Sequence, residues 1–110
     1  MGCEQVFERI KMIVCGEDLW RLQVTLDNSG KTQVQFDPHG MSRANARRYI
    51  KNIIAINPYA FTLDVIHGYN RGTAIKDMIR EDDLSSRVIE KHCMENNPGR
   101  TMISVSTMVA

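Results

Sequence analysis

The chain has no long apolar run, only three cysteines and three prolines, and almost no net charge. Each shortage excludes something. A bilayer-spanning helix needs about 20 consecutive apolar residues, so no membrane partner is expected. Cys3, Cys15 and Cys93 are odd in number and far apart, with neither a Cys-x-x-Cys pair nor a Cys/His cluster of zinc spacing, so reduced thiols that ligate no metal are expected. The first residues, Met1-Gly2-Cys3-Glu4-Gln5, hold neither a basic stretch nor a long apolar one, and a cytoplasmic protein is expected. A net charge of +1 by itself says nothing about nucleic acid. Internal repeats, low-complexity tracts and long linkers are also missing.

What is present suits one globular domain: 110 residues, 43% hydrophobic and 25% charged, enough apolar material for a single core. The charge is unevenly spread. From Gly40 to Arg80 there are seven basic residues (Arg43, Arg47, Arg48, Lys51, Arg71, Lys76, Arg80) against Asp64 and Asp77, which leaves the rest of the chain net acidic. Such a segment is compatible with a polyanion-binding face and equally with solvated helix faces.

Apolar spacing orders the elements. Val6, Phe7, Ile10, Ile13 and Val14 predict a helix over Glu4–Cys15, stopped by Gly16. Trp20, Leu22, Val24 and Leu26 alternate with polar residues, Asp27-Asn28-Ser29-Gly30 makes a turn, and Thr32, Val34 and Phe36 return as the second strand of a hairpin. Ser42 caps a helix with apolar face Ala46, Tyr49, Ile50, Ile53 and Ile54, ended by Asn57-Pro58. Phe61–Ile66 suits a buried strand, and Ala74, Ile75, Met78 and Ile79 a further helix with Glu81-Asp82-Asp83 at its end. Strands over Arg87–His92 and Thr101–Val109, separated by a turn at Glu95–Gly99, complete the order α-β-β-α-β-α-β-β. That order implies an α/β two-layer sandwich, a mixed sheet with helices packed on it.

Two histidines stand where a strand gives way to a helix, in Phe36-Asp37-Pro38-His39-Gly40 and in Ile66-His67-Gly68-Tyr69-Asn70-Arg71-Gly72. Ligands and anions collect at such edges because free backbone N–H groups converge there, and imidazole moves protons near neutral pH. Asp37 and His39, two apart on a strand, would share a face, so that the carboxylate orients the imidazole and raises its basicity. On RNA, His39 would then deprotonate the ribose 2′-hydroxyl while His67 protonates the leaving oxygen or steadies the phosphate. On DNA, water would be the nucleophile and a divalent metal held by Asp37 becomes more attractive. The motif does not choose between them. Tyr69 could stack on a base and Arg71 pair with phosphate, or both could be ordinary exposed turn residues. Gly68 and Gly72 could instead mark only a tight turn, and His92 is expected to be plain surface.

These motifs resemble those of the Smr (small MutS-related) domain family. Phe36-Asp37-Pro38-His39-Gly40 corresponds to its Leu-Asp-x-His-Gly, with Phe for Leu, and His67-Gly68-Tyr69-Asn70-Arg71-Gly72 to its His-Gly-x-Gly-x-Gly, with Asn70 at the middle glycine. Gly99-Arg100-Thr101 is similar to its closing Gly-x-Thr strand. The likeness covers about Thr32 to Val105, leaving 1–31 as an extension to an Smr-like domain over 32–110. It implies an endonuclease, RNA slightly favoured over DNA, with Asp37, His39 and His67 catalytic. Gly40, Arg43, Arg47, Gly68, Tyr69, Arg71 and Gly72 would then bind substrate. A non-cleaving module that binds nucleic acid or the ribosome is the alternative, and a protein adaptor using the N-terminal helix and hairpin is a third.

Overall fold

The computed structural model describes residues 3–68, 74–93 and 99–108. Helix α1 (Cys3–Lys11) leads through a 3₁₀ helix (Gly16–Arg21) into β1 (Leu22–Leu26) and β2 (Thr32–Phe36). Then follow α2 (Arg43–Ile56), β3 (Phe61–Ile66), α3 (Ala74–Glu81), β4 (Val88–Cys93) and β5 (Arg100–Val105). The five strands form one mixed sheet in the order β1-β2-β3-β5-β4, with β2 and β3 parallel and the other pairs antiparallel. Val34, Phe36, Leu63, Val65, Ile103 and Val105 present one face of that sheet to Ile10, Ile50, Ile53, Met78 and Ile79 of the helices, giving the expected two-layer sandwich. No helix among the described residues is long and apolar enough to cross a membrane.

The hairpin turn is built by one carboxylate. Asp27 accepts hydrogen bonds from the Ser29 amide, the Ser29 hydroxyl and the Lys31 amide, and Gly30 takes φ +82°, a left-handed value that favours glycine. Upstream, three expectations need correction. Helix α1 ends at Lys11, where Met12 and Ile13 turn back by i→i−3 bonds, rather than at Cys15. Trp20 is not an inward strand residue; it lies in the 3₁₀ helix and is 62% exposed. The turn there is held because Arg21 bonds Asp18, which commits these residues to a tight coil before the strand begins. Leu26, at the open edge of the sheet, is exposed as well. Val6, Ile10, Val14 and Leu22 belong to the same core as the rest, so the segment 1–31 shares the packing of the segment 32–110.

The tail also differs. Strand β5 stops at Val105, and the following residues fasten onto Arg87: Ser106 donates its amide to the Arg87 carbonyl and accepts from the Arg87 Nε. The same guanidinium donates to the carbonyls of Ile54, Asn57 and Tyr59, so one cation closes the C-terminal end of α2, where carbonyls lack helical partners. On the opposite face of the sheet, Asp64 is fully buried between Gln35 and Met102 and is paired with Arg100 through both carboxylate oxygens. Most of the predicted turn at Glu95–Gly99 falls outside the described residues.

Replacing Arg87 by Met removes the donors and keeps much of the stem. Hydrogen bonds to charged groups contribute roughly 1.5–3 kcal/mol each and do not simply add, so Arg87→Met is expected to lower unfolding free energy by about 2–3 kcal/mol in urea titration. An unchanged midpoint would remove Arg87 as the clamp of α2.

Candidate active site

Because β2 and β3 are parallel neighbours, their carboxyl ends emerge side by side, each followed by a histidine and a glycine. After Phe36 the chain leaves the strand: Asp37 uses its Oδ1 to accept the His39 amide at 2.9 Å, and Met41 donates back to the Pro38 carbonyl. Gly40 supplies the φ of +83° this turn requires, before Ser42 caps α2 by accepting the Asn45 amide. Gly68 plays the corresponding part after β3, with φ +74° and its amide donated to the Gly99 carbonyl. The result is a cleft of about 300 Å³ lined by His39, Gly40, Met41, Arg43, His67, Gly68, Ala74, Ile75 and Lys76. None of these lining residues is acidic.

The two imidazoles are held differently. His39 is exposed, and its ring makes no hydrogen bond among the described residues. His67 is half-buried and uses both nitrogens: Nδ1 lies 2.7 Å from the Gly68 carbonyl and Nε2 2.8 Å from the Thr101 hydroxyl. A carbonyl can only accept, so Nδ1 carries the proton and a neutral ring accepts the Thr101 hydroxyl at Nε2. Burial lowers the His67 pKa, the bond to Gly68 opposes that shift, and the charge of Lys76 adds to it.

Asp37 corrects a geometric expectation. It does not extend β2 to share a face with His39, and its carboxylate meets the His39 backbone amide rather than the ring. An Asp two residues before a free amide closes such a turn on its own, which competes with the extended conformation. Arg43 and Arg47, four residues apart on α2, both bond Asp82 just past α3, at 3.2 and 3.1 Å. Arg43 also lines the cleft; Arg47 does not. Tyr69, Asn70, Arg71 and Gly72 lie outside the described residues. His92 is exposed on β4, as expected of plain surface. Among the described residues, no three His, Cys, Asp or Glu side chains gather as a metal cluster.

Sequence reasoning missed what holds the His39 turn. Arg21 donates through Nη1 to the carbonyls of Asp37 and His39, at 3.1 and 2.6 Å, and through Nε to Asp18. Asp18 in turn accepts the Tyr49 hydroxyl at 2.7 Å. These two donors hold the Asp18 carboxyl below its usual range, while the bond to Asp18, with burial, pushes the Tyr49 phenol up to about 12. The hairpin register carried the signal: Leu22 opposite Phe36 sets Arg21 opposite Asp37. Comparison with protein-family models, curated proteins and solved structures finds no match for this chain.

His67 gives the site a pH signature. Folding lowers its pKa, so below about 6.5 the unfolded chain takes up the proton first and the folded state loses stability as pH falls. In His67→Gln, which can still donate to Gly68 and accept from Thr101, the drop in denaturation midpoint between pH 7.5 and pH 5.5 is expected to shrink. An equal drop in both proteins would show that His67 does not resist protonation.

Proposed function

We propose that this protein is a small endonuclease that cleaves RNA at the cleft between His39 and His67. The observation that carries the proposal is the lining itself: an exposed imidazole, unpaired among the described residues, beside Arg43 and Lys76 at the starts of α2 and α3, with no carboxylate among the described lining residues. Helix starts and cations suit a phosphate, and a free imidazole suits proton transfer. The likeness of the two histidine motifs to the Smr family supports the same activity.

In this scheme the phosphodiester rests between Arg43 and Lys76. His39 removes the 2′-hydroxyl proton, the 2′ oxygen attacks phosphorus, and the bond to the 5′ oxygen breaks. The departing oxygen takes a proton from the His39 imidazolium or from water, leaving a 2′,3′-cyclic phosphate and a 5′-hydroxyl. Neutral His67, tied at both nitrogens, shapes the Gly68 turn rather than supplying the proton. A non-cleaving RNA- or ribosome-binding module is the second reading. It is favoured by one observation, that Asp37 leaves the His39 ring without a carboxylate partner.

The activity test uses end-labelled RNA beside 2′-O-methyl RNA and DNA of the same sequence. Cleavage of RNA alone, ending in cyclic phosphate, is expected. A proton-transfer residue contributes about 10²–10⁴-fold to rate and little to ground-state binding, so His39→Ala should lose cleavage while binding stays within several-fold. Binding without cleavage by the intact protein selects the second reading. Asp37→Asn keeps an oxygen for the His39 amide, so it should retain most cleavage where Asp37→Ala does not. If Asp37→Asn is as dead as Asp37→Ala, the carboxylate charge acts on the chemistry.

Arg43→Glu is expected to weaken RNA binding and flatten its salt dependence, because a lost phosphate contact releases fewer counterions. An unchanged slope would place the phosphate elsewhere.

A further inference from the structure

Trp20 is the chain's one tryptophan, and it is 62% exposed. Nothing in the core explains its position, yet it is not loosely placed. The Arg21 guanidinium lies over its ring, 4.5 Å from the centroid, and that same group donates to the carbonyls of Asp37 and His39. A single planar cation therefore touches both the indole and the turn that presents His39. Arg21 lies over one face and is anchored by Asp18, while the residue as a whole stays 62% exposed.

From this arrangement we infer that Trp20 is a stacking platform for an unpaired base of a single-stranded nucleic acid whose phosphate occupies the His39–His67 cleft. The inference rests on the proposed function for the cleft and adds the strandedness of its substrate. Charge decides which part of the strand Trp20 receives. Beside the indole the Arg21 guanidinium is already committed to Asp18 and to the carbonyls of Asp37 and His39, whereas the cations Arg43 and Lys76 line the cleft. A neutral base over the indole and an anion in the cleft match that division. Stacking needs a free aromatic face, which paired bases inside a duplex do not offer, so single strands are selected without reading sequence. Arg21 adds a cation–π contact that keeps the ring oriented.

The lone tryptophan reports its own contact. Titrating the intact protein with single-stranded 2′-O-methyl RNA, which lacks the 2′-hydroxyl that would be cleaved, should quench Trp20 emission, and the matching duplex should leave it nearly unchanged. By fluorescence anisotropy of labelled strand, Trp20→Ala should bind about tenfold more weakly and Trp20→Phe should recover most of the loss. Salt dependence should stay the same in both variants, because no phosphate contact is removed. Strand binding with no quenching, or equal quenching by duplex, overturns the platform and leaves the endonuclease proposal standing. Concentration-dependent emission changes in the protein alone, with none on adding strand, assign Trp20 to self-association and likewise overturn it. Failure of the intact protein to bind any strand overturns both.

Discussion

Two strands that run the same way end on the same edge, and β2 and β3 pair in parallel from Gln33 with Thr62 to Phe36 with Val65. Every other pair in the sheet is antiparallel, so this is where two strand ends followed by helices can meet. Each exit carries the same short sequence, a histidine and then a glycine, and each glycine has positive φ. The connection through α2 makes the pairing possible, since parallel neighbours need a crossover, and Arg87 holds the far end of that helix. The cleft is thus a consequence of topology before it is one of chemistry.

The two turns then diverge because their surroundings differ. The β3 exit sits next to β5, and Thr101 and Gly99 reach across to bond His67 and Gly68. The β2 exit sits next to β1, where Arg21 bonds only the backbone of the turn and leaves the His39 ring alone. His67 is tied at both nitrogens and half-buried, whereas the His39 ring is exposed and makes no hydrogen bond among the described residues. Equivalent motifs are therefore held unequally.

Much of this was legible in the sequence, and the physical reason is periodicity. The order of elements, the Ser42 cap, the hairpin turn and the buried residues of α2 and β3 all follow from local patterns that packing reinforces. The meeting of His39 with His67 was legible once two strands were placed before two helices. What stayed hidden depends on side chains reaching across the chain. Arg21 to His39 and Arg43 to Asp82 join residues 18 and 39 apart, and no local pattern marks them. Trp20 misled because an apolar residue in alternation reads as strand, while the bond from Arg21 to Asp18 winds the backbone first. Asp37 misled because a carboxylate near histidine reads as its partner, while here it accepts the turn's own amide.

Asp82 shows how the cationic face of α2 is tied into the fold. It draws Arg43 and Arg47 toward the end of α3, and Lys91 donates to the Asp82 carbonyl from β4, so the helices and the sheet edge are drawn together at this corner. These pairs are partly exposed, where an ion pair is worth little, roughly 0–1 kcal/mol. A phosphate in the cleft would compete with Asp82 for Arg43 without breaking the fold, because Arg47 can retain the carboxylate. The charge imbalance legible between Gly40 and Arg80 is therefore partly spent inside the molecule, and among the described residues the cations that line the cleft are Arg43 and Lys76.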